Sequence, residues 1–380
     1  MIKSNAAVLF GIHGSLEGMS NKTDNNLDRV SEFMVLDKIS KRFNRVFVFS
    51  FDSKKKDSIL PENATHVRLF NQLFYAFFGW FVLLYYIHKN NIRFIYLECS
   101  ALPLVFMINR LSKAIVLLNY NYLLHKIYLA DKDSSIKSRI TKNRLMPFII
   151  KHIERFLIGF VDYIVVGSKE IEHFVPSDKI IKINKGIVVS KFNPMVTKRH
   201  DIYKRIKGPS ILMIARLTEV KNPLLMIESY KLAKKRIPDL NLIICGDGRL
   251  FEECRKAADN NVHLLGFAGD IPSVLKGADV FVNPSDYDAS PRSLMEAMTM
   301  GIPCIATRVG GVPDYIDETC GILVEPKNPH ILAYKIVYLI RNKKISRELG
   351  ARARKRMLKY HDLDKNLSKT IDLVINRKKR

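Results

Sequence analysis

Short apolar runs separated by helix-period segments recur along the whole chain, in two groups. In the first half the runs are AAVLF (6–10), RVFVFSF (45–51), RFIYLE (93–98), AIVLLNY (114–120) and DYIVVGS (162–168), with helical stretches between them, for example 27–42 and 144–160. The second half repeats the habit with SILMIAR (210–216), LNLIICGDG (240–248), VHLLGF (262–267), DVFVNPS (279–285), PCIAT (303–307) and GILV (321–324). Helices are predicted there over 222–236, 249–259, 271–277, 291–300 and 328–342. Strands alternating with helices predict parallel sheets covered on both faces, that is, an α/β chain.

The pattern breaks at KFNPMVTKRHDIYKRIKGPS (191–210), which is polar, basic and punctuated by Pro and Gly. The predicted organisation is a Rossmann-like domain over 1–190, a linker over 191–209, a second Rossmann-like domain over 210–350 and a C-terminal helix in 351–380 returning towards the first domain. A length of 380 residues exceeds what one core usually holds, and 47% hydrophobic content is ample for two. Two doubly wound halves facing a cleft would bind ligands at the carboxyl ends of their strands.

One segment departs from the amphipathic rule. LFNQLFYAFFGWFVLLYYIHK (69–89) is uncharged from Leu73 to Ile87 and apolar on nearly every helical face. A transmembrane span is rejected, because the run is borderline in length and crossing would separate strands 6–10 and 93–98 that belong to one sheet. Two readings stay open: a buried core helix, or a helix lying on an anionic membrane with Trp80, Tyr85, Tyr86, Lys89 and Arg93 at the interface.

The formal charge of +25 adds an expectation of anionic partners: nucleic acid, acidic lipid or phosphorylated substrate. The basic residues are diffuse, which disfavours nucleic acid, and the tail NRKKR (376–380) reads as a solvated terminus. Five scattered cysteines without a CxxC pair predict neither a zinc site nor a disulfide framework and fit a reducing compartment. The N-terminal run MIKSNAAVLFGIHG reads as a first strand rather than a signal peptide.

The candidate chemistry concentrates in NPSDYDASPRSLMEAMTMG (283–301). Asp288 lies in a loop and Glu296 eight residues on in a helix. Between them Ser290 is predicted as N-cap and Pro291 as the first helical residue. An acid beside a helix N-terminus, whose N–H groups attract anions, outlines a nucleotide-sugar site. Upstream, IARLTEVKNP (214–223) sets Arg216 at a strand end and Lys221 five residues on, a fork-shaped donor and a point charge suited to a diphosphate. By itself GDG (246–248) is a tight turn, and GGVPDYI (310–316) offers a flexible loop whose backbone could approach a ligand.

In their order and spacing ARLTEVKNP, CGDG, HLLGF, NPSDYDASPRSLMEAM, GIPCIATRVGGVPDYI and GILVEP resemble the retaining glycosyltransferases of family 4, of the GT-B fold, from about Ile211 to Val324. NKGIVVSKFNP (184–194) looks like that family's interdomain segment and extends the match upstream. The resemblance implies that Arg216 and Lys221 hold the donor diphosphate, that Glu296 binds the ribose hydroxyls and that Asp288 orients the transferred sugar. Asp288 stands where the family usually has Glu, and Ala289 where it usually has Gly. Backbone groups of Arg292, Ser293 and Leu294, with Ser290, would meet phosphate or sugar, and Phe267 lies where family members hold the base. In the first half, Gly14 either contacts phosphate or only turns the chain. His125, with Tyr120 and Asn121 before it, lies near the position of a family histidine beside the transferred sugar, although a lone His in an apolar stretch is usually structural.

The expected reaction is retaining transfer from a nucleotide-diphosphate sugar to a glycan or lipid-linked acceptor, by same-face substitution in which the leaving phosphate accepts the acceptor's proton. No cofactor or metal is expected, since Arg216 and Lys221 supply the charge; DYD (286–288) fits a bare DxD pattern but sits within the family-4 run. The expected location is cytoplasmic, peripheral on the membrane face, in cell-surface polysaccharide or glycolipid synthesis. A hydrolase is disfavoured because Glu296 is assigned to the ribose. The alternatives are a GT-B sugar-nucleotide epimerase and a non-catalytic basic protein binding membrane or nucleic acid.

Overall fold

All five apolar runs of the first half become parallel strands, because each alternates two apolar sets between two covered faces. In the computed structural model the described residues are 4–9, 36–50, 61–68, 72–98, 108, 110–120, 145–166, 172, 174–182, 186–288 and 290–376. They fall into two compact units, residues 1–184 with 364–380 and residues 185–363.

The first unit contains β1 (Asn5–Leu9), β2 (Val46–Ser50), β3 (Ala64–Arg68), β4 (Ile92–Glu98), β5 (Ile115–Tyr120), β6 (Tyr163–Val166) and β7 (Ile180–Lys182), in the order β3-β2-β1-β4-β5-β6-β7. Its register aligns Ala7 with Phe47 and Ile95, and Ile95 with Val116, all on one face. Helices α1 (Gln72–Lys89) and α2 (Leu145–Ile158) cover that face through Leu83, Leu84, Ile87 and Ile158. The opposite face, with Ala6, Val8, Val48 and Phe94, packs against Leu36, Ile39 and Phe43 and against Leu367, Ile371 and Val374 of the chain's last helix. The sequence pattern missed β3 and β7. Both are edge strands with one neighbour, so ATHVR and IIK carry no long apolar run.

α1 has a core-facing side at Leu83, Leu84 and Ile87, while Phe81 and Tyr85 are exposed. No helix among the described residues is long and apolar enough to cross a membrane.

The second unit follows the sequence pattern closely: β8 (Ser210–Ile214), β9 (Asn241–Cys245), β10 (Val262–Gly266), β11 (Val280–Asn283), β12 (Cys304–Thr307) and β13 (Ile322–Val324) form a parallel sheet in the order β10-β9-β8-β11-β12-β13. Helices α3 (Pro223–Lys234), α4 (Phe251–Ala257), α5 (Ile271–Leu275), α6 (Arg292–Thr299) and α7 (Pro329–Arg341) alternate with these strands. α8 (Lys343–Tyr360) and α9 (Leu363–Ile375) end the chain. Strand Ile211, Met213, Leu242 and Val282 share a core with Met226, Tyr230, Leu332 and Ile336 of α3 and α7.

Residues 191–209, expected as a linker, lie within the second unit. Phe192 is buried, His200 N–H donates to Ser273 O at 3.1 Å, and the Tyr203 ring packs where a side chain on Gly277 would stand. The apolar anchors Phe192 and Tyr203 override the polar composition that suggested a free linker.

Candidate active site

In a doubly wound sheet the loops at the strand carboxyl ends separate where the winding direction reverses, which opens a crevice there. The second sheet winds from β8 to β9 and β10, then crosses back to β11, so its reversal lies between β8 and β11. The two loops that leave these strands are 215–222 and 284–291, the loops singled out for Arg216, Lys221 and Asp288.

Three contacts tie the loops together. The Asp286 N–H donates to Val220 O at 2.8 Å, and the Asn222 Nδ2 amide donates to Asp286 Oδ1 at 2.5 Å. The Lys221 ammonium pairs with Asp288 Oδ2 at 2.7 Å, both side chains being largely shielded from water at 27% and 12% exposure. Asn222 adopts a left-handed conformation (φ 54°, ψ 50°), which reverses the chain into Pro223 at the start of α3. Asn tolerates that conformation better than a branched residue would. Asn222 and Asp286 are the site residues the sequence reading missed. Their signal was the KN dipeptide before Pro223 and the first acid of DYD.

Other loops hold this pair in place. Ser285 Oγ donates to Asn283 Oδ1 at 2.6 Å, and Thr307 Oγ1 donates to Ser285 O at 2.5 Å, joining the ends of β11 and β12. Gly311 N–H donates to Asp288 O at 2.9 Å. Gly310 has φ +50°, and a Cβ there would come within 2.6 Å of that same carbonyl oxygen. The GGVPDYI loop therefore spends its close backbone approach on Asp288. On the other side, Gly246 (φ +141°) lies against Ala215 O so tightly that a Cβ would overlap it at 1.9 Å, and Leu217 N–H donates to Asp247 O at 2.9 Å. GDG thus does more than turn the chain: it supports the loop carrying Arg216.

Ser290 does not cap α6. The helix begins at Arg292, Pro291 occupies the N-cap position and no side chain caps it. Ser290 instead donates its backbone N–H to Asp288 Oδ1 at 3.3 Å. The prediction was off by one residue because the Asp288 carboxylate competes for the turn, as short acids do. The first intrahelical bond runs from Met295 N–H to Pro291 O at 3.0 Å. The N–H groups of Arg292, Ser293 and Leu294 precede it, as an anion-binding helix start requires.

Glu296 lies on α6 and is 3% exposed. Burial pushes its carboxyl up to about 8, against the opposing pull of Arg292 one turn earlier. No group among the described residues donates a hydrogen bond to that carboxyl. Arg216 is exposed just beyond β8. Phe267, just beyond β10, is 81% exposed. Lys221, Asp288 and Ser290 are therefore brought into contact, with Arg292 close enough to act on Glu296. Gly14, His125 and Asn121 lie outside the described residues, and Tyr120 closes β5. Ala289 also lies outside them.

Comparison with known proteins gives this geometry a context. The family described as glycosyl transferases group 1 matches residues 197–356. An Escherichia coli UDP-Gal:alpha-D-GlcNAc-diphosphoundecaprenol alpha-1,3-galactosyltransferase is 28% identical over 256 residues, 62% of this chain and 66% of the relative. A Campylobacter jejuni N,N'-diacetylbacillosaminyl-diphospho-undecaprenol alpha-1,3-N-acetylgalactosaminyltransferase is 27% identical over 58% of this chain and 62% of its own length. The chain thus spans less than two thirds of these curated relatives. Among solved structures, a glycosyltransferase from Rickettsia africae superposes with a TM-score of 0.72 at 17% identity, covering 98% of both chains. Anabaena HepE in complex with UDP and glucose superposes with a TM-score of 0.70 at 16% identity, covering 98% of this chain and 99% of HepE. The two Rossmann-like units are those of the GT-B fold.

Proposed function

We propose that the chain, whose residues 197–356 match the glycosyl transferases group 1, is a retaining glycosyltransferase of family 4 moving a sugar from a nucleotide diphosphate to a lipid-linked or glycan acceptor. The observation that carries the reading is the Lys221–Asp288 pair, set where the second sheet reverses its winding. A cation for the diphosphate and an acid for the sugar stand side by side, which is what a donor bridging the two requires. The undecaprenol-linked substrates named for the Escherichia coli and Campylobacter relatives support a polyprenyl-diphosphate-linked acceptor.

In this reading Arg216 and Lys221 bind the diphosphate, with help from the N–H groups at the start of α6 around Arg292, Ser293 and Leu294. Glu296 accepts hydrogen bonds from the ribose hydroxyls, donors that its buried carboxyl lacks among the described residues. Phe267 borders the base. Asp288, steadied by the Ser290 N–H, accepts from hydroxyls of the transferred sugar. The bond from the anomeric carbon to the diphosphate oxygen breaks, and the acceptor oxygen bonds that carbon on the same face. The acceptor's proton passes to the departing diphosphate. Arg216 and Lys221 stabilise the charge that develops there, a role electrostatic preorganisation fills without a metal. The first unit would serve the acceptor.

The test is thermal stabilisation by UDP and GDP against an oligonucleotide, followed by a screen of sugar nucleotides for slow hydrolysis. Stabilisation by a nucleoside diphosphate with hydrolysis of one donor is the expected result. Stabilisation by neither nucleotide overturns the reading, and turnover to an isomer without acceptor would identify an epimerase.

A further inference from the structure

The outer side of the α1–α2 layer carries a pattern that sugar transfer does not use. α2 buries Glu154 and Ile158 and turns Phe148, Ile149, Ile153 and Phe156 outward, at 61%, 39%, 53% and 61% exposure. At about 100° per residue these four occupy an arc of roughly 140° on the helix surface. Lys151 and Arg155 border the arc on one side, His152 lies within it with its ring 4.1 Å from that of Phe148, and all three are exposed. The one carboxylate of α2, Glu154, is 1% exposed, so the outward side shows no acid.

α1 lies on the same face of the sheet and repeats the pattern. Phe81 and Tyr85 are 54% and 57% exposed. Lys89 stands 5.2 Å over the Tyr85 ring and donates to its hydroxyl at 2.9 Å. No residue of α1 is acidic.

Among the described residues of the two helices, these exposed and largely apolar arcs are bordered by cations and show no acid, and water serves them poorly. We propose that the outward face of α2, with the Phe81–Tyr85–Lys89 edge of α1, docks on the surface of an anionic lipid bilayer. The apolar side chains sit at the boundary between headgroups and acyl chains, and Lys151 and Arg155 meet lipid phosphate. Charge selects this occupant. A second copy of the same face would bring its own cations against Lys151 and Arg155. A nucleic acid would engage the cations but leave Ile149 and Ile153, which have no ring for a base to stack on, without a partner. The proposal goes beyond the transfer reading and involves none of Arg216, Lys221, Asp288 or Glu296.

Flotation of the full chain with vesicles of phosphatidylglycerol and phosphatidylcholine, against phosphatidylcholine alone, tests it. The protein is expected to co-float with the anionic vesicles at low salt and to be released as salt rises. The paired exposed changes Phe148→Ser and Ile153→Ser should reduce the floated fraction by at least about tenfold, given the apolar area withdrawn from the bilayer. Lys151→Glu with Arg155→Glu should abolish the preference for anionic vesicles. Thermal melting of each pair confirms folding, and sugar-nucleotide hydrolysis without lipid reports the transfer reading separately. The proposal is overturned if the unaltered protein ignores phosphatidylglycerol at low salt, or if both folded variants float as it does. It is also overturned if light scattering shows the serine pair abolishing self-association while flotation persists.

Discussion

Asp288 is one methylene shorter than the Glu that the resemblance led one to expect, and its carboxylate pairs with Lys221. The short carboxylate reaches Lys221 at 2.7 Å while still accepting from the Ser290 N–H, so it is fixed from two sides. A donor diphosphate would compete for the ammonium, because a doubly charged partner attracts it more strongly than one carboxylate. Asp288→Ala should therefore lower turnover by about 10²–10³-fold, the scale of losing one preorganised polar contact at the reacting centre, while UDP still shifts the melting temperature. Lys221→Ala should lower both turnover and the UDP-induced shift. Glu296 makes a different prediction, through pH. Its carboxyl is raised to about 8 in the folded protein from an ordinary 4.5, so between these values the native state holds a proton that the unfolded chain has released. Its contribution to stability is then full below about 4.5 and falls as pH rises through 8. Melting of the ligand-free protein from pH 5 to 8.5 should show that fall, and Glu296→Gln should remove it. Since ribose hydroxyls bind best to the ionised carboxylate, UDP binding near pH 7 should release a proton. Calorimetry in two buffers of different ionisation enthalpy measures it.

At the scale of elements, the sequence pattern placed every strand of the second unit, because each central strand is a short apolar run ending in a turn. Arg216, Lys221, Asp288 and Glu296 were legible for the same reason: their positions relative to strand ends and a helix start are local facts. What joins them was not local. Asn222 meets Asp286 across 64 residues of sequence, and Lys221 meets Asp288 across 67. Spacing along one strand says nothing about such bonds, which depend on β8 and β11 being neighbours. The GGVPDYI loop, whose backbone could approach a ligand, is held against the Asp288 carbonyl at Gly310 and Gly311. Gly310 is consequently under two constraints, a positive φ and a carbonyl 2.6 Å from where a Cβ would be. Gly310→Ala should destabilise the second unit by about 1–3 kcal/mol through strain at that position. Urea unfolding measures the loss, and turnover should fall beyond what the lost stability explains, because the Asp288 backbone shifts with the loop.

Across the whole molecule, the path of the chain links the two units in a way that makes their stabilities testable separately. The second unit closes with Ile187 N–H donating to His361 O and Leu363 N–H donating to Ile187 O, both at 3.0 Å. The chain then continues as α9 into the core of the first unit, where Leu367, Ile371 and Val374 pack with Ala6, Val46 and Phe94. Arg42 holds the outer side of α9 through its Nε bond to Asp372 at 2.6 Å, and Lys38 pairs with Asp364 at 2.8 Å. These ion pairs are partly exposed and add little; the three apolar side chains dominate, at about 1.5–3 kcal/mol for each one fully buried. Ending the chain after Leu363 should therefore uncover one face of the first sheet and leave the second unit's contacts intact. Melting of that truncated chain should show the first unit lost or much less stable, and the UDP-induced shift should remain in the transition of the second unit. A truncated chain that still melts as the full one does would mean that α9 contributes nothing to the first core. Loss of the UDP response together with the first unit would mean that nucleotide binding needs both units, and the assignment of the donor to the β8–β11 loops alone would fall.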